Sequence, residues 1–185
     1  MKKIFAFIFA ALMVASLSGC GSNNSSSVAS QEESAVSSSA ESSAVESETV
    51  VAGMKEGKTV EGFFAAVDEL YGEMSRTPID DDMLKDLYMI DMENVETYMG
   101  ETSMINVHAF DVLVVQAKEG KVEDVKATLE ERKQARISEF EFYPVNNNDL
   151  NTKNALVLTS GDYAILVICN DYDSMQKILD EYFTF

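Results

Sequence analysis

One stretch of the chain constrains its fold more than any other. Residues 110–118 read Phe-Asp-Val-Leu-Val-Val-Gln-Ala-Lys, and the apolar side chains in this run do not alternate with polar ones. Successive side chains of a strand point to opposite faces of the sheet, so this pattern is typical of a strand that is apolar on both faces. The segment therefore predicts the central strand of a sheet.

Helix and strand patterns surround this segment. Apolar residues recur at spacings of three and four in four segments, which predicts amphipathic helices at 60–74, 80–88, 121–140 and 173–183. Short apolar or alternating runs predict further strands at 95–99, continuing through 104–107, and at 155–159 and 163–169. The last two strands are joined at Ser160-Gly161-Asp162, which is typical of a hairpin.

This order of elements predicts an α+β fold for residues 53–185. We expect a single domain with an antiparallel sheet of about four strands, in the order ββα-ββα. Helices are expected to pack on one face of that sheet, and two further helices to precede it.

The N-terminus predicts export from the cytoplasm. Lys2 and Lys3 precede an apolar run from Ile4 to Ser16, which is too short to span about 30 Å of hydrocarbon. The following Leu17-Ser18-Gly19-Cys20 resembles the lipobox of bacterial lipoproteins. That resemblance implies a signal peptide at 1–19 and diacylglycerol on the Cys20 thiol, which anchors the chain to the extracytoplasmic face of the cell membrane. The alternative is a plain secretory signal with an incidental cysteine.

Residues 20–52 predict a tether. Ser, Ala, Val and Glu dominate the segment, which contains five acidic residues and no basic one. Because no apolar periodicity is present, burial of apolar side chains would not offset the conformational entropy that the segment loses when it becomes ordered. We expect a disordered spacer, with a frayed helix at 41–51 as the alternative.

The charge and the metal-ligating residue types exclude several functions. The chain has 14 Lys and Arg against 32 Asp and Glu, a net charge of −18, and residues 53–185 alone carry −15. This acidity argues against nucleic-acid binding, because affinity for phosphates needs a surplus of basic residues. One His and two Cys cannot form a four-ligand zinc site of Cys and His. No metal and no other cofactor is predicted.

Several motifs together resemble a known family. They are Asp111-Val112-Leu113-Val114-Val115, Lys118-Glu119-Gly120-Lys121-Val122, the helix from Val125 through Leu129 to Arg132, Asn154-Ala155, and Gly161 with Tyr163. With the lipobox, they resemble the bacterial lipoproteins of the domain of unknown function 4358 family over roughly residues 60–183. The resemblance implies an extracytoplasmic lipoprotein and supplies no catalytic residues.

Three basic residues form the one candidate binding patch. Arg132, Lys133 and Arg136 hold three of the 12 basic residues of the domain within five positions. We expect their stems to lie on the helix surface and their charged heads to reach solvent, which also suits a helix C-terminus. The alternative is a patch that binds an anion or a partner on an otherwise acidic surface.

The remaining candidates have structural interpretations. Asp80, Asp81 and Asp82, and likewise Asp171 and Asp173, are weak calcium candidates without the spacing of a calcium loop, and helix capping explains both groups. His108 has no nucleophile motif near it, and we expect an ordinary loop histidine. Cys169 ends an apolar strand, which predicts a buried structural thiol.

These observations favour a noncatalytic binding or accessory module of the cell envelope, with an unidentified ligand or envelope protein as its partner. Two alternatives stay open. The first is a glycan-acting enzyme that uses carboxylates alone. The second is an interaction subunit of an envelope complex, for which an exposed apolar patch would be the sign.

Overall fold

The computed structural model describes residues 52–142 and 144–185. The predicted signal peptide at 1–19, Cys20 and the tether up to residue 51 lie outside the described residues. Among the helices that are described, none is long and apolar enough to cross a membrane.

The strands form two antiparallel sheets. In chain order they are β1 Gly53–Met54, β2 Thr77–Pro78, β3 Val95–Thr102, β4 Asp111–Ala117, β5 Leu156–Ser160, β6 Tyr163–Ile168 and β7 Phe183–Thr184. The main sheet has the order β2-β3-β4-β6-β5, while β1 and β7 pair separately. Strand β4 is therefore central, as its two apolar faces predict.

The main sheet differs from the expected four strands in two places. Thr77 and Pro78 form a fifth strand against Glu101 and Thr102 of β3, where the sequence indicates only a helix break. Two residues are too few to show a periodicity, and the pairing depends on a distant segment. Residues 104–107, expected to continue β3, instead belong to a loop between β3 and β4.

Five helices accompany the strands in the part of the chain that the structure describes. They are α1 Val60–Tyr71, α2 Asp81–Asp86, α3 Val122–Glu141, α4 Asn148–Lys153 and α5 Tyr172–Tyr182. Short 3-10 turns lie at Met92–Asn94 and Val145–Asn147. Helix α1 begins as predicted, because the Thr59 side chain accepts the Gly62 N–H at 3.0 Å.

Helices cover both faces of the main sheet, so the expectation of one covered face is wrong. Val112 and Val114 of β4 pack with α1 and α5. Leu113 and Val115 pack on the opposite face with α2 and α3. A strand that is apolar on both sides needs an apolar neighbour on both sides, and the pattern of β4 already contained this requirement.

Two glycines meet local requirements of the sheet. Gly100 of β3 leaves room for Ile79, whose Cδ1 would lie 2.6 Å from an added Cβ. Gly161 turns the β5–β6 hairpin with a φ of +58°, a conformation that other residues adopt at a cost. The main sheet therefore keeps β2 close to β3 and β5 in register with β6.

Candidate functional site

The first residue of the central strand is a buried carboxylate. Asp111 lies opposite Thr102 of β3 and Ile168 of β6. Because it is two residues before Leu113, it faces α3, and its side chain has no solvent exposure. A carboxylate at this depth is stable only with opposite charge and hydrogen bonds around it.

Helix α3 supplies the opposite charge. Arg132 Nη2 donates to Asp111 Oδ2 at 3.4 Å, and Arg136 Nε lies 2.9 Å from the same oxygen. Both arginine side chains are 6% exposed. Their spacing of four residues places them one turn apart on the helix face that packs on the sheet.

Tyr88 completes the partners of Asp111. Its hydroxyl donates to Asp111 Oδ1 at 2.5 Å, so both carboxylate oxygens have partners. Burial, with the Asp111 charge as a second cause, raises the pKa of Tyr88 well above its usual range, which keeps the hydroxyl protonated as a donor. The Arg132 guanidinium lies 4.7 Å from the Tyr88 ring centroid. We refer to Tyr88, Asp111, Arg132 and Arg136 as the ionic cluster.

A cleft of about 210 Å³ opens beside the two arginines. We call it the arginine cleft. Its lining comes from the region after α2, the end of β3, the loop that follows and helix α3, and consists of Leu87, Thr102, Ser103, Met104, Asn106, Arg132, Arg136 and Glu139. Two guanidinium groups and the Asn106 amide thus line one small space, whereas the Thr102 and Ser103 hydroxyls donate to the backbone carbonyls of Phe110 and Ile105.

Two nitrogens of the Arg136 guanidinium have no hydrogen-bond partner among the described residues. Nε contacts Asp111 without hydrogen-bond alignment, and Nη1 lies 2.6 Å from Glu139 Oε2. Nη2 is buried and has no hydrogen-bond partner among the described residues. Arg76 differs, because each of its two terminal nitrogens meets a carboxylate, of Asp68 and of Glu101. Arg136, which lines the arginine cleft, therefore has an unused donor on a planar fork that fits oxyanions.

The expectation that the three basic heads reach solvent is wrong for Arg132 and Arg136. The buried stripe of α3 consists of Val125, Leu129, Arg132, Arg136 and Phe140. Lys133 lies beside this stripe, with a side chain that is 20% exposed and Nζ 4.0 Å from Glu130. The spacings of four, three, four and four residues place Arg132 and Arg136 on the helix face that packs against the sheet.

Sequence reasoning did not identify Asp111 or Tyr88. A signal for Asp111 was present, since an acidic residue inside a strand that is apolar on both faces needs a cationic partner. Tyr88 follows the short helix α2 and ends near Asp111 only through the tertiary fold. No local pattern indicates that contact.

The acidic candidates have structural roles. Asp80 accepts the Met83 N–H at 2.8 Å and caps α2, and Asp81 accepts the Tyr98 hydroxyl. Asp171 accepts the Ser174 N–H at 3.0 Å and caps α5. Within residues 52–142 and 144–185, no group of three or more His, Cys, Asp and Glu side chains is placed to hold a metal ion.

The two remaining candidates lie away from the ionic cluster. Cys169 is buried, as predicted, and burial raises the pKa of its thiol to about 11, which makes it a weak nucleophile at neutral pH. His108 lies in the loop between β3 and β4 and lines a second cleft, apart from Arg132 and Arg136.

The fold and the site together define an α+β domain with a two-sided antiparallel sheet and a buried ionic cluster beside a polar cleft. The sequence model of a family described as Domain of unknown function (DUF4358) matches residues 71–169, more than half of the chain. The chain therefore belongs to this family, as the sequence motifs predict. The matched range contains all four residues of the ionic cluster. No curated protein and no solved structure matches the chain.

Proposed function

We propose that the protein is a noncatalytic binding module, anchored by lipid to the extracytoplasmic face of the cell membrane, that holds an anionic group in the arginine cleft. One observation carries the proposed ligand class. Arg136 lines the arginine cleft, and its buried Nη2 has no hydrogen-bond partner among the described residues. A carboxylate or phosphate oxygen would satisfy this donor, and leaving it unsatisfied has an energetic cost.

Glu139 occupies the position that such a ligand would take. Its carboxylate contacts Arg136 Nη1, and its side chain is 40% exposed at the edge of the cleft. Asp111, by contrast, is fully buried. In this proposal the Glu139 side chain moves into solvent when the ligand binds. One oxyanion then accepts hydrogen bonds from both Nη1 and Nη2 of Arg136. Asp111 stays in place and holds the guanidinium plane.

The test is a calorimetric titration of the purified protein with phosphate and, separately, with acetate. Glu139→Gln removes the competing charge, and we expect it to raise affinity about tenfold, or about 1.4 kcal/mol. Arg136→Lys removes the planar guanidinium group and should abolish the increase in affinity that Glu139→Gln produces. Glu131→Gln is the matched control, since this exposed acid lies on the same helix and has the same charge.

Two results would contradict the anion site. One is equal affinity of the wild type, Glu139→Gln and Glu131→Gln proteins. The other is that neither anion binds Glu139→Gln. A response to phosphate alone or to acetate alone decides between the two kinds of oxyanion.

Anchoring at Cys20 supports a binding role. A flexible segment from Cys20 to Ala52 would reach roughly 30 Å from the membrane, which lets a small domain meet ligands beyond the headgroups. Changing Cys20 to Ala should move the protein from the membrane fraction to the soluble fraction, and mass spectrometry should find no acylated N-terminus. Unchanged membrane association with an unmodified Cys20 in the wild type would contradict the anchor.

An interaction subunit of an envelope complex is the second candidate function. The loop between β3 and β4 exposes Met104, Ile105 and Val107, which are 62%, 46% and 46% exposed. Met104 also lines the arginine cleft. Apolar side chains at one loop are typical of protein contacts. Crosslinking in the native cells, with and without Met104→Ser, tests this candidate, which predicts one partner that the substitution loses.

A further inference from the structure

A second cleft, of about 360 Å³, lies on the other side of the loop between β3 and β4. We call it the asparagine cleft. Eight residues line it: Met74, His108, Ala109, Asn146, Asn147, Asn148, Asn151 and Asn170. None of them is Asp, Glu, Lys or Arg, although these four types make up 25% of the chain. Five asparagines from two separate segments thus meet at an uncharged surface.

Two of the asparagines build the wall of the cleft. Asn148 is 1% exposed, and its Oδ1 accepts the Ala109 N–H at 2.8 Å. Asn146 Nδ2 donates to the Val107 carbonyl at 2.9 Å. The two bonds tie the start of α4 and the turn before it to the loop between β3 and β4, so the cleft is formed before any ligand arrives.

The backbone at the cleft adopts an uncommon conformation. Asn146 and Asn147 have φ of +53° and +58°, in the left-handed region. Two consecutive residues other than glycine in this region cost of the order of 1 kcal/mol each, and asparagine tolerates it better than most residues. The turn places Asn147 on the cleft, and a glycine there would keep the turn without the amide.

The remaining polar side chains of the cleft are unused. Asn147, Asn151, Asn170 and His108 form no side-chain hydrogen bond with the described residues. Each amide offers two donor hydrogens and an acceptor oxygen. A ligand that both donates and accepts, and carries no charge, matches this set.

We propose that the asparagine cleft binds an uncharged saccharide. Vicinal hydroxyls both donate and accept, so an amide can pair with two of them at once. A charged ligand would lose hydration there without a counter-charge among the lining residues. Peptide recognition relies on a sheet edge or on apolar pockets for side chains, and Met74 and Ala109 are the only apolar members of the lining. This site is separate from the proposed anion site and uses none of its residues.

The experiment is an NMR titration of the purified, ¹⁵N-labelled chain, which observes the asparagine side-chain amides directly. The probes are maltotriose and triacetylchitotriose, each up to about 10 mM, where a site with a few hydrogen bonds approaches saturation. A trialanine peptide blocked at both ends is the comparison ligand. We expect saturable shifts of the cleft amides with at least one trisaccharide.

Three variants test the assignment. Asn147→Gly keeps the left-handed turn but removes the amide. Asn147→Gly and Asn170→Ala, each as a single substitution, should weaken saccharide binding at least about fivefold. Asn94→Ala is the matched control, because Asn94 does not line the cleft. The saccharide and the anion are titrated separately and the two sites share no lining residue, so the two proposals can fail independently.

Three results would overturn the proposal. The first is the absence of saturable shifts with either trisaccharide. The second is shifts with the blocked peptide alone. The third is saccharide binding that Asn147→Gly and Asn170→Ala leave at the level of the Asn94→Ala control.

Discussion

The two faces of the main sheet are covered by different chemistry. On the α1 and α5 face, aromatic rings pack edge to face, with the Phe63 and Phe183 centroids 5.6 Å apart. On the α3 face, apolar packing around Leu129 gives way at one end of the sheet to the ionic cluster. Hydrophobic burial positions both sets of helices, whereas only the α3 face also requires particular partners at particular distances.

The two faces contribute differently to the fold: the apolar contacts contribute mainly stability, and the ionic cluster contributes mainly specificity of position. Apolar contacts contribute roughly in proportion to the area that they remove from water and tolerate small shifts. A buried ion pair gains little net free energy, because desolvation offsets the attraction, yet breaking it is costly. We therefore infer that the ionic cluster fixes the position of α3 along β4 and that the apolar contacts hold it there.

The largest expected effect is on the α3 face. Asp111→Ala would leave Arg132 and Arg136 buried without their shared carboxylate, and we expect a loss of about 3–5 kcal/mol in the free energy of unfolding. Urea unfolding followed by circular dichroism measures this loss. Asp124→Ala is the control, since Asp124 is 59% exposed and pairs only with Lys121. Equal effects of the two substitutions would contradict a structural role for the cluster.

Replacement of the whole ionic cluster tests whether its charges themselves stabilise the fold. Asp111→Leu combined with Arg132→Met and Arg136→Met removes every buried charge and keeps similar volumes. We expect this variant to be at least as stable as the wild type, because buried ion pairs are replaceable by apolar packing. A triple variant as unstable as Asp111→Ala would show that the ions themselves stabilise the fold.

The second effect concerns the α1 and α5 face. Leu179 is fully buried there, and Leu179→Ala should cost about 3 kcal/mol through lost burial and the remaining cavity. Because Leu179 carries no charge, this cost should not change between low and high salt. A salt-dependent cost at Leu179 would mean that the two faces are not chemically distinct.

The third effect appears at alkaline pH on the same face. The pKa of Cys169 rises from 9.0 to about 11 on folding, because burial disfavours the thiolate. The folded-state pKa is the higher one, so this contribution is complete below pH 9 and is lost as pH rises through 11, by up to about 3 kcal/mol. Urea unfolding across this range should show a smaller decline for Cys169→Ala than for the wild type, and parallel curves would contradict the assignment. Burial also raises the pKa values of Tyr71, which is buried, and of Tyr172, which is partly buried, so both proteins should decline further at alkaline pH.

The sequence predicted most of the elements, because their signals are local. The central strand, helix α1 and the β5–β6 hairpin all follow from periodicity or turn chemistry. Strand β2 could not be predicted, since Thr77 and Pro78 become a strand only by pairing with β3. Coverage of both sheet faces by helices was predictable from β4, because this strand is apolar on both faces. The expectation that helices cover one face disregarded that pattern.

The candidate site was predictable in part. The basic residues of α3 were identified as a group. Which of them are buried depends on how the helix is turned about its own axis, and a turn of about one residue position changes which side chains face the sheet. The partners Asp111 and Tyr88 lie 21 or more positions before Arg132 or Arg136 in the sequence and meet them only in the folded chain. The asparagine cleft also brings distant segments together, and no local pattern in the sequence indicates it.

The smallest expected effect tests the boundary between the buried and exposed sides of α3. Lys133 follows Arg132 directly, but its Nζ lies 4.0 Å from Glu130, and neither Asp111 nor Tyr88 is its partner. Exposed ion pairs of this kind contribute little, so Lys133→Gln should cost less than about 1 kcal/mol. Arg136→Gln, three residues further on, should cost about 3–5 kcal/mol, because it removes a buried partner of Asp111. Thermal or urea unfolding of the two variants side by side measures the difference, and a cost at Lys133 as large as at Arg136 would show that Lys133 belongs to the buried stripe.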